Sequence, residues 1–229
     1  AEETAESGTW VIFAGGGTAG HLLPGLSVAR ALVEAGHPAS SIHFVGAERG
    51  PESTTVPAAG FTVDVLPGRG IQRRLSAANL SAVLDLVRAL VRGARLVRAH
   101  RPSVVVVLGG YASAACGIGA VICRVPLVLL EQNKKAGAVN RLLRRFAKAS
   151  AVSFEGTDLP RSVVTGNPLR PEIRAVADRP DPGAARAELG MDFHTGSAGR
   201  TNLPHIRCSR FRATRSAVRI DRMCRPIEA

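Results

Sequence analysis

Short apolar runs alternate with longer helical segments between residues 10 and 165 of the chain. Seven runs of three to six residues are predicted to form β-strands: 10–14, 42–45, 61–66, 104–108, 127–130, 151–154 and 163–165. Five longer segments are predicted to form helices: 22–35, 52–59, 75–99, 112–123 and 139–147. Most of the strands are apolar at every position, as expected when helices cover both faces of a parallel sheet. The pattern therefore predicts an α/β, Rossmann-like fold with a doubly wound parallel sheet.

The apolar pattern breaks near Met191, which divides the chain into four segments. We expect an N-terminal extension (1–9), one Rossmann-like domain (10–170), a linker (171–191) and a basic tail (192–229). The tail holds eight arginines against three acidic residues and has no strand or helix pattern. Our hypothesis is that the tail is an out-of-frame or aberrant extension. A genuine basic tail that contacts a polyanion is the alternative.

The composition is that of a globular protein with a basic surface. Of the 229 residues, 45% are hydrophobic and 21% are charged, which argues against intrinsic disorder. The net charge is +12. Such a charge attracts phosphate groups, anionic lipid surfaces or nucleic acid, although it also occurs on ordinary solvated surfaces. The four cysteines form no CxxC pair, so they indicate neither a zinc site nor a dithiol redox motif. Cys116 and Cys123 are predicted to be small core residues.

One uncharged segment, 103–123, is about long enough to span a bilayer. Its first part is a run of valines, which is typical of a strand, and Gly109-Gly110 signals a turn. We therefore predict a strand, a turn and a helix packed on the sheet rather than a transmembrane helix.

A glycine-rich loop, GGGTAG at 15–20, lies between the first strand and the first helix. It satisfies G-x-G-x-x-G, in which glycines and the free N–H groups of a helix N-terminus bind phosphate. A dinucleotide site is one interpretation, but His21 and Pro24 follow the loop directly, and Glu48 comes after Gly46 rather than at the strand tip. His21 is a candidate base or phosphate contact; a purely structural histidine is the alternative.

Three further motifs follow predicted strands: GGYAS at 109–113, EQN at 131–133 and GNPLR at 166–170. Because the carboxyl ends of parallel strands share one edge of the sheet, the glycine loops at 15–20 and 109–113 are expected to converge on one crevice, with EQN at the same edge. The amide and carboxyl groups of EQN suit sugar hydroxyls, and Arg170 can form a fork to a phosphate. A simple tight turn and a surface arginine are the alternatives for the first and last motifs.

These motifs, with GGGTAGHLLPG at 15–25, resemble the MurG family in order and spacing over about residues 10–190. The resemblance implies the N-terminal domain of a GT-B glycosyltransferase of peptidoglycan synthesis. It implies inverting transfer of N-acetylglucosamine from UDP-N-acetylglucosamine to the muramyl sugar of undecaprenyl-diphosphate-linked pentapeptide (lipid I). No metal and no cofactor are implied. The implied location is peripheral, on the cytoplasmic face of the bacterial inner membrane.

Site residues carry over from the family motif by motif. His21 is the candidate catalytic residue. The donor-side positions are Thr18, Ala19, Gly20, Asn133 and Arg170. The acceptor-side positions are Gly16, Gly17, Gly109, Gly110, Tyr111, Glu131 and Asn140. The family commonly has His before EQN, where this chain has Leu130, so we expect one polar group fewer in the acceptor site. The family's second domain has no counterpart after residue 191, so we expect the chain as given to be a truncated, inactive form.

A basic membrane face is also predicted. Segment 75–99 combines apolar residues with cations, and a second basic cluster lies between 134 and 148. The arginines assigned to this face are Arg73, Arg74, Arg88, Arg92, Arg141 and Arg145. An amphipathic helix that simply covers the sheet is the alternative. A non-catalytic acceptor- or membrane-binding module, and less favourably a dinucleotide-binding protein, remain as alternative functions; no nucleic-acid partner is expected.

Overall fold

The computed structural model of the protein describes residues 8–48, 50–67, 78–170, 172, 173 and 175. Its centre is a sheet of seven parallel strands in the order β3-β2-β1-β4-β5-β6-β7. The strands are β1 Val11–Gly15, β2 Ile42–Ala47, β3 Thr62–Leu66, β4 Val104–Gly109, β5 Leu127–Glu131, β6 Ala149–Val152 and β7 Ser162–Val164. The predicted α/β fold with a doubly wound parallel sheet is confirmed.

Five α-helices connect these strands: α1 Ala19–Glu34, α2 Glu52–Ala58, α3 Ala78–His100, α4 Tyr111–Ile122 and α5 Ala138–Leu143. Short 3-10 helices follow α1 at Ala39–Ser41 and α5 at Arg144–Phe146. The predicted last helix, 139–147, therefore ends as an α-helix earlier than expected and finishes as a tighter turn.

Each face of the sheet is covered by its own helices. Val11 and Phe13 of β1 pack in the layer that contains α1 and α2. Ile12 and Ala14, which alternate with them, pack in the layer that contains residues of α3, α4 and α5. Because β1, β4 and β5 are buried on both faces, every position in them is apolar or small apart from Glu131 at the end of β5.

The two halves of the sheet diverge between β1 and β4. The chain runs outward through β2 and β3 on one side, then returns through α3 to place β4 on the other side of β1. The loops after β1 and β4 consequently turn to opposite faces and leave a crevice between them. Ligands of open α/β sheets bind at such a point.

Helix α3 packs chiefly on α4 rather than directly on the sheet. Its Gly93 lies so close to Ala115 that a Cβ would come within 2.8 Å of the Ala115 carbonyl carbon, and Gly119 of α4 lies equally close to Ala94. The backbones meet because these positions carry no side chain. The interpretation of α3 as a helix that merely covers the sheet thus accounts for only part of its apolar residues.

The segment 103–123 forms strand β4, a glycine turn and helix α4, as predicted. No helix in the described ranges is both long and apolar enough to cross a bilayer. The proposed linker 171–191 and tail 192–229 fall almost wholly outside the described residues, so those two predictions stay predictions.

Candidate functional site

The two glycine loops meet where β1 and β4 end. The Gly16 N–H donates to the Gly109 carbonyl over 3.2 Å. A Cβ on Gly110 would lie 2.3 Å from the Gly16 carbonyl oxygen, and Gly110 has a φ of +85°, so both space and backbone conformation require glycine. Ser113 joins the loops, because its Oγ accepts the Gly109 N–H and donates to the Ala14 carbonyl at 2.6 Å.

Helix α1 starts where the two glycine loops meet. Thr18 is its N-cap, but the Thr18 side chain makes no cap hydrogen bond and its Oγ1 lies 2.9 Å from Nδ1 of His21 instead. Ala19 and Gly20 are exposed. The first N–H groups of a helix have no intrahelical partner and carry a partial positive charge. The site therefore offers free N–H donors to an anion.

The imidazole of His21 lies directly against the second glycine loop. A Cβ on Gly109 would come within 2.8 Å of His21 Nε2, so only glycine lets the ring approach the loop this closely. In the tautomer whose Nδ1–H donates to Thr18 Oγ1, Nε2 is the acceptor and faces the end of β4. This is the arrangement that a proton-accepting histidine needs.

Glu131 organises the loop after β5. Its Oε1 accepts the backbone and side-chain N–H groups of Asn133, both at 3.0 Å. Its Oε2 accepts the N–H of Gly137 at 2.8 Å and Nδ2 of Asn140 at 2.9 Å. The carboxyl group is buried and its oxygens are occupied, so Glu131 shapes the site more than it binds a ligand directly.

Asn140 presents an unused acceptor. It is 2% exposed, and its Nδ2 donates to Glu131 and to the Leu130 carbonyl. Its Oδ1 is buried and has no hydrogen-bond partner among the described residues. Because unpaired buried polar atoms are costly, this oxygen is suited to accept a hydrogen bond from a bound hydroxyl.

These groups surround one cleft of about 230 Å³. Its lining includes six residues singled out from the sequence: His21, Gly109, Gly110, Glu131, Asn133 and Asn140. Gly16 is next to the cleft through its hydrogen bond to Gly109, and Thr18 is next to it through its contact with His21. The two glycine loops therefore meet, as expected, and the loop after β5 lines the same cleft as the second of them.

Glu52 is a functional candidate that the sequence motifs did not indicate. It is the first residue of α2, 1% exposed, and its Oε1 accepts the N–H of Gly17 at 2.5 Å. The Glu52 side chain occupies space that three glycines leave open, since a Cβ on Gly16, Gly46 or Gly50 would collide with it. The only signal in the sequence is the closely spaced pair of glycines that precedes it.

Other predicted residues lie elsewhere. The Tyr111 hydroxyl donates to the Pro67 carbonyl at 3.1 Å, next to the end of β3. Arg170 lines a separate cavity with residues of α1 and α2.

Leu130 is 2% exposed and packs in the core layer of α1, so its position does not support the expectation that it removes a polar group from the cleft. Glu48 directly follows β2, so the argument that placed it away from the strand tip was wrong.

The basic face lies on the α3–α5 side of the sheet. Arg88, Arg92, Arg141 and Arg145 are all exposed, whereas Arg73 and Arg74 lie outside the described residues. A groove of about 800 Å³ runs between α3 and α4. Its lining is mainly apolar and includes Val87, Leu90, Val91, Ile118, Ile122 and Cys123, with Arg95, Arg98 and Arg101 among them.

Comparison with known proteins agrees with this geometry. A Pseudomonas putida protein named UDP-N-acetylglucosamine--N-acetylmuramyl-(pentapeptide) pyrophosphoryl-undecaprenol N-acetylglucosamine transferase is 38% identical over 189 residues, which are 81% of this chain and 51% of the relative. A protein of the same name from Anaeromyxobacter dehalogenans is 39% identical over 75% of this chain and 45% of its own. The chain thus spans about half the length of these curated relatives.

The solved structures agree as well. The crystal structure of Acinetobacter baumannii MurG superposes with a TM-score of 0.58 at 25% identity, over 72% of this chain and 47% of that one. Staphylococcus aureus MnaA, with a TM-score of 0.54 at 14% identity over 79% of this chain and 50% of its own, shares the fold alone. Residues 11–152 match the N-terminal domain of glycosyltransferase family 28. The resemblance drawn from the four sequence motifs is confirmed, and the chain belongs to glycosyltransferase family 28 through that domain.

Proposed function

We propose that this chain provides the acceptor-binding side of an inverting glycosyltransferase. The transferase would move N-acetylglucosamine from UDP-N-acetylglucosamine to the muramyl sugar of lipid I, and so serve peptidoglycan synthesis. The names of the relatives support this substrate pair. The observation that carries the proposal is the cleft that His21, near the start of α1, lines together with the second glycine loop, Glu131, Asn133 and Asn140.

The acceptor diphosphate is assigned to the glycine loops. Free N–H groups at the start of α1 provide donors for its oxygens, and Gly17, whose Cβ position has no atom within 4 Å, leaves the backbone open to it. Gly16, Gly109 and Gly110 remain proposed contacts of the acceptor. The Asn140 Oδ1 would accept a hydrogen bond from a hydroxyl or amide of the muramyl pentapeptide. Thr18, Ala19, Gly20, Asn133 and Arg170 remain proposed contacts of the donor.

His21 is proposed as the general base. Its Nε2 accepts the proton of the muramyl hydroxyl while that oxygen attacks the anomeric carbon of N-acetylglucosamine. The bond from that carbon to the diphosphate oxygen breaks, and UDP leaves with the electron pair, so the configuration at carbon inverts. This step requires the tautomer with the proton on Nδ1, which Thr18 Oγ1 is placed to accept at 2.9 Å.

The groove between α3 and α4 and the arginines around it are proposed to dock on anionic lipid. Val87, Val91 and Ile122 are 51%, 45% and 67% exposed, which leaves apolar side chains beside the cations of α3. Such a surface lies at a headgroup boundary with its arginines among lipid phosphates. Docking there would place the protein on the cytoplasmic face of the inner membrane, where an undecaprenyl-linked acceptor is held.

The decisive experiment measures UDP release with a lipid I analogue. Residues 1–191 joined to the second half of the Pseudomonas putida relative provide the parent enzyme. His21→Ala is expected to lower kcat by about 10²–10⁴-fold, as loss of a general base does. The matched control is His37→Ala, which changes the histidine that stacks on Trp10 beyond the other end of α1. Equal turnover in the parent and the His21 variant would contradict the catalytic assignment.

A further inference from the structure

A second cluster of chemically active side chains lies apart from the cleft. His43 is near the start of β2, Asp64 is in β3, and His100 is the last residue of α3, which leads into the start of β4. The cluster is therefore displaced toward the amino-terminal ends of the strands. Nε2 of His43 and Nε2 of His100 lie 2.9 Å and 3.5 Å from the same carboxylate oxygen, Oδ2 of Asp64.

We propose that His43, Asp64 and His100 bind a divalent transition-metal ion, with Zn²⁺ the best match. Their ligand atoms all lie within 4.8 Å of one another. For an ion about 2.0–2.1 Å from both atoms of a pair, the 2.9 Å and 3.5 Å separations correspond to N–metal–O angles of about 90° and about 117°. Two imidazoles and one carboxylate are the donor set of many zinc sites, with water at the open position.

The contacts behind the two histidines favour a metal over a simple ion pair. Nδ1 of His43 lies 2.9 Å from the Thr62 hydroxyl, and Nδ1 of His100 lies 2.9 Å from the Thr9 hydroxyl. Each hydroxyl can accept the Nδ1–H and so leave Nε2 as a lone-pair donor toward the shared centre. Metal-binding histidines are held in this way through their second nitrogen.

The surroundings of the cluster also suit an ion with one open position. The side chains of His43, His100 and Asp64 are 12%, 26% and 43% exposed, so the site is shielded on one side and accessible to water on the other. The two imidazole rings have centroids 4.3 Å apart, where two protonated rings would repel each other. A bound cation lets both rings stay neutral beside the Asp64 carboxylate.

Such an ion would tie β2, β3 and the end of α3 together without touching the glycosyl-transfer cleft. The proposal is therefore independent of the proposed function. Its ligands are also far apart along the chain, and neither residue spacing nor a motif in the sequence indicates them.

The test is a Co²⁺ titration of the full chain, read from the visible absorption of four- or five-coordinate cobalt, with Zn²⁺ competing for the same site. The parent carries His194→Ala, His205→Ala, Cys208→Ser and Cys224→Ser, which removes competing ligands in the tail. We expect one bound ion. His100→Ala and Asp64→Asn should each weaken binding by at least about 100-fold, and Thr9→Val by about 10–100-fold.

His37→Gln is the matched control, because it changes a histidine outside the cluster and should leave the affinity unchanged. Circular dichroism of each variant establishes that it is folded, and Zn²⁺ should raise the Tm of the parent but not of the His100 variant. No absorption in the parent at millimolar Co²⁺, or parental affinity in both folded ligand variants, would overturn the proposal.

Discussion

At the scale of single residues, Glu52 controls the backbone of the first glycine loop. Its carboxyl group accepts the Gly17 N–H and fills a space that three glycines leave open. Its second oxygen, Oε2, is buried without a hydrogen-bond partner among the described residues. Such a group lowers stability unless it serves the site. We infer that Glu52 holds the loop in the shape that accepts a phosphate.

This role predicts distinct effects for two substitutions. Glu52→Ala removes the acceptor for Gly17, and we expect it to lower the free energy of unfolding by about 1.5–3 kcal/mol and to speed hydrogen exchange of the Gly17 amide. Glu52→Gln keeps an acceptor oxygen and should largely preserve that protection. Urea unfolding and amide exchange measure the two effects. Unchanged Gly17 exchange in the folded Ala variant would refute the anchoring role.

The residues of the cleft differ in how far the sequence indicates them. His21, Glu131 and Asn133 follow buried strands or a glycine loop directly, and the parallel sheet brings strand ends together. The position of the Glu52 side chain depends on the space left by three glycines, at positions 16, 46 and 50. These glycines are brought together by the pairing of β1 with β2. Side-chain partners of this kind carry no periodic signal.

At the scale of elements, the strands were the most predictable part of the fold. Runs that are apolar on both faces have few alternatives, so all seven strands lie within one or two residues of their predicted bounds. Helix ends were less predictable because they depend on local turn geometry. Helix α1 begins at Ala19 rather than 22, and α5 ends at Leu143 rather than 147.

The helices of the basic face allow a direct test of docking. In a chain shortened to residue 191, Arg88→Gln and Arg92→Gln should each weaken binding to phosphatidylserine-containing vesicles by about fivefold, or about 1 kcal/mol. Rising salt should weaken binding of the unsubstituted chain because it screens charges beyond about 10 Å at 0.1 M. Arg30→Gln, on the opposite layer in α1, is the control. Equal binding to neutral and anionic vesicles would contradict the proposal.

Cys116 and Cys123 allow a second test of docking at the basic face. Burial, aided by the charge of Asp64, raises the pKa of Cys116 to about 12, so its thiol is largely protonated and inert. Cys123 is half-buried in the groove between α3 and α4. In the chain shortened to residue 191, iodoacetamide should therefore modify Cys123 before Cys116, and anionic vesicles should slow that reaction if they cover the groove. Peptide mass spectrometry measures both rates, and modification of Cys123 at the same rate with and without vesicles would place the lipid elsewhere.

At the scale of the whole molecule, the proposed function makes the described cleft one wall of a reaction site. The cleft volume of about 230 Å³ is small for a nucleotide sugar together with the muramyl pentapeptide of lipid I. Correct positioning of two substrates can lower a barrier by about 7–11 kcal/mol, and this requires contacts from more than one side. Under the proposed function, we therefore expect acceptor binding and turnover to be separable in this polypeptide.

We accordingly predict that the 229-residue polypeptide binds a lipid I analogue but releases UDP far more slowly than the same residues joined to the second half of a relative. The physical reason is that the donor lacks enclosing contacts on the described surface. Equilibrium binding and UDP release, measured on both proteins, give the comparison. Comparable turnover from the two would show that this half alone completes the site, and absence of binding would remove the acceptor-side assignment.

The contact between the two glycine loops also has a consequence for how the protein folds. Strand β1 pairs with β4, so Val11 meets Val104 across a long intervening chain, and the contact from Gly16 to Gly109 depends on that pairing. Closing such a loop is entropically costly, and folds rich in distant contacts form slowly. Strands β1 and β2 with helix α1 can associate early, whereas the cleft forms only when β4 inserts beside β1. On the ribosome, a nascent chain has no complete binding cleft until residues through Asn140 have emerged.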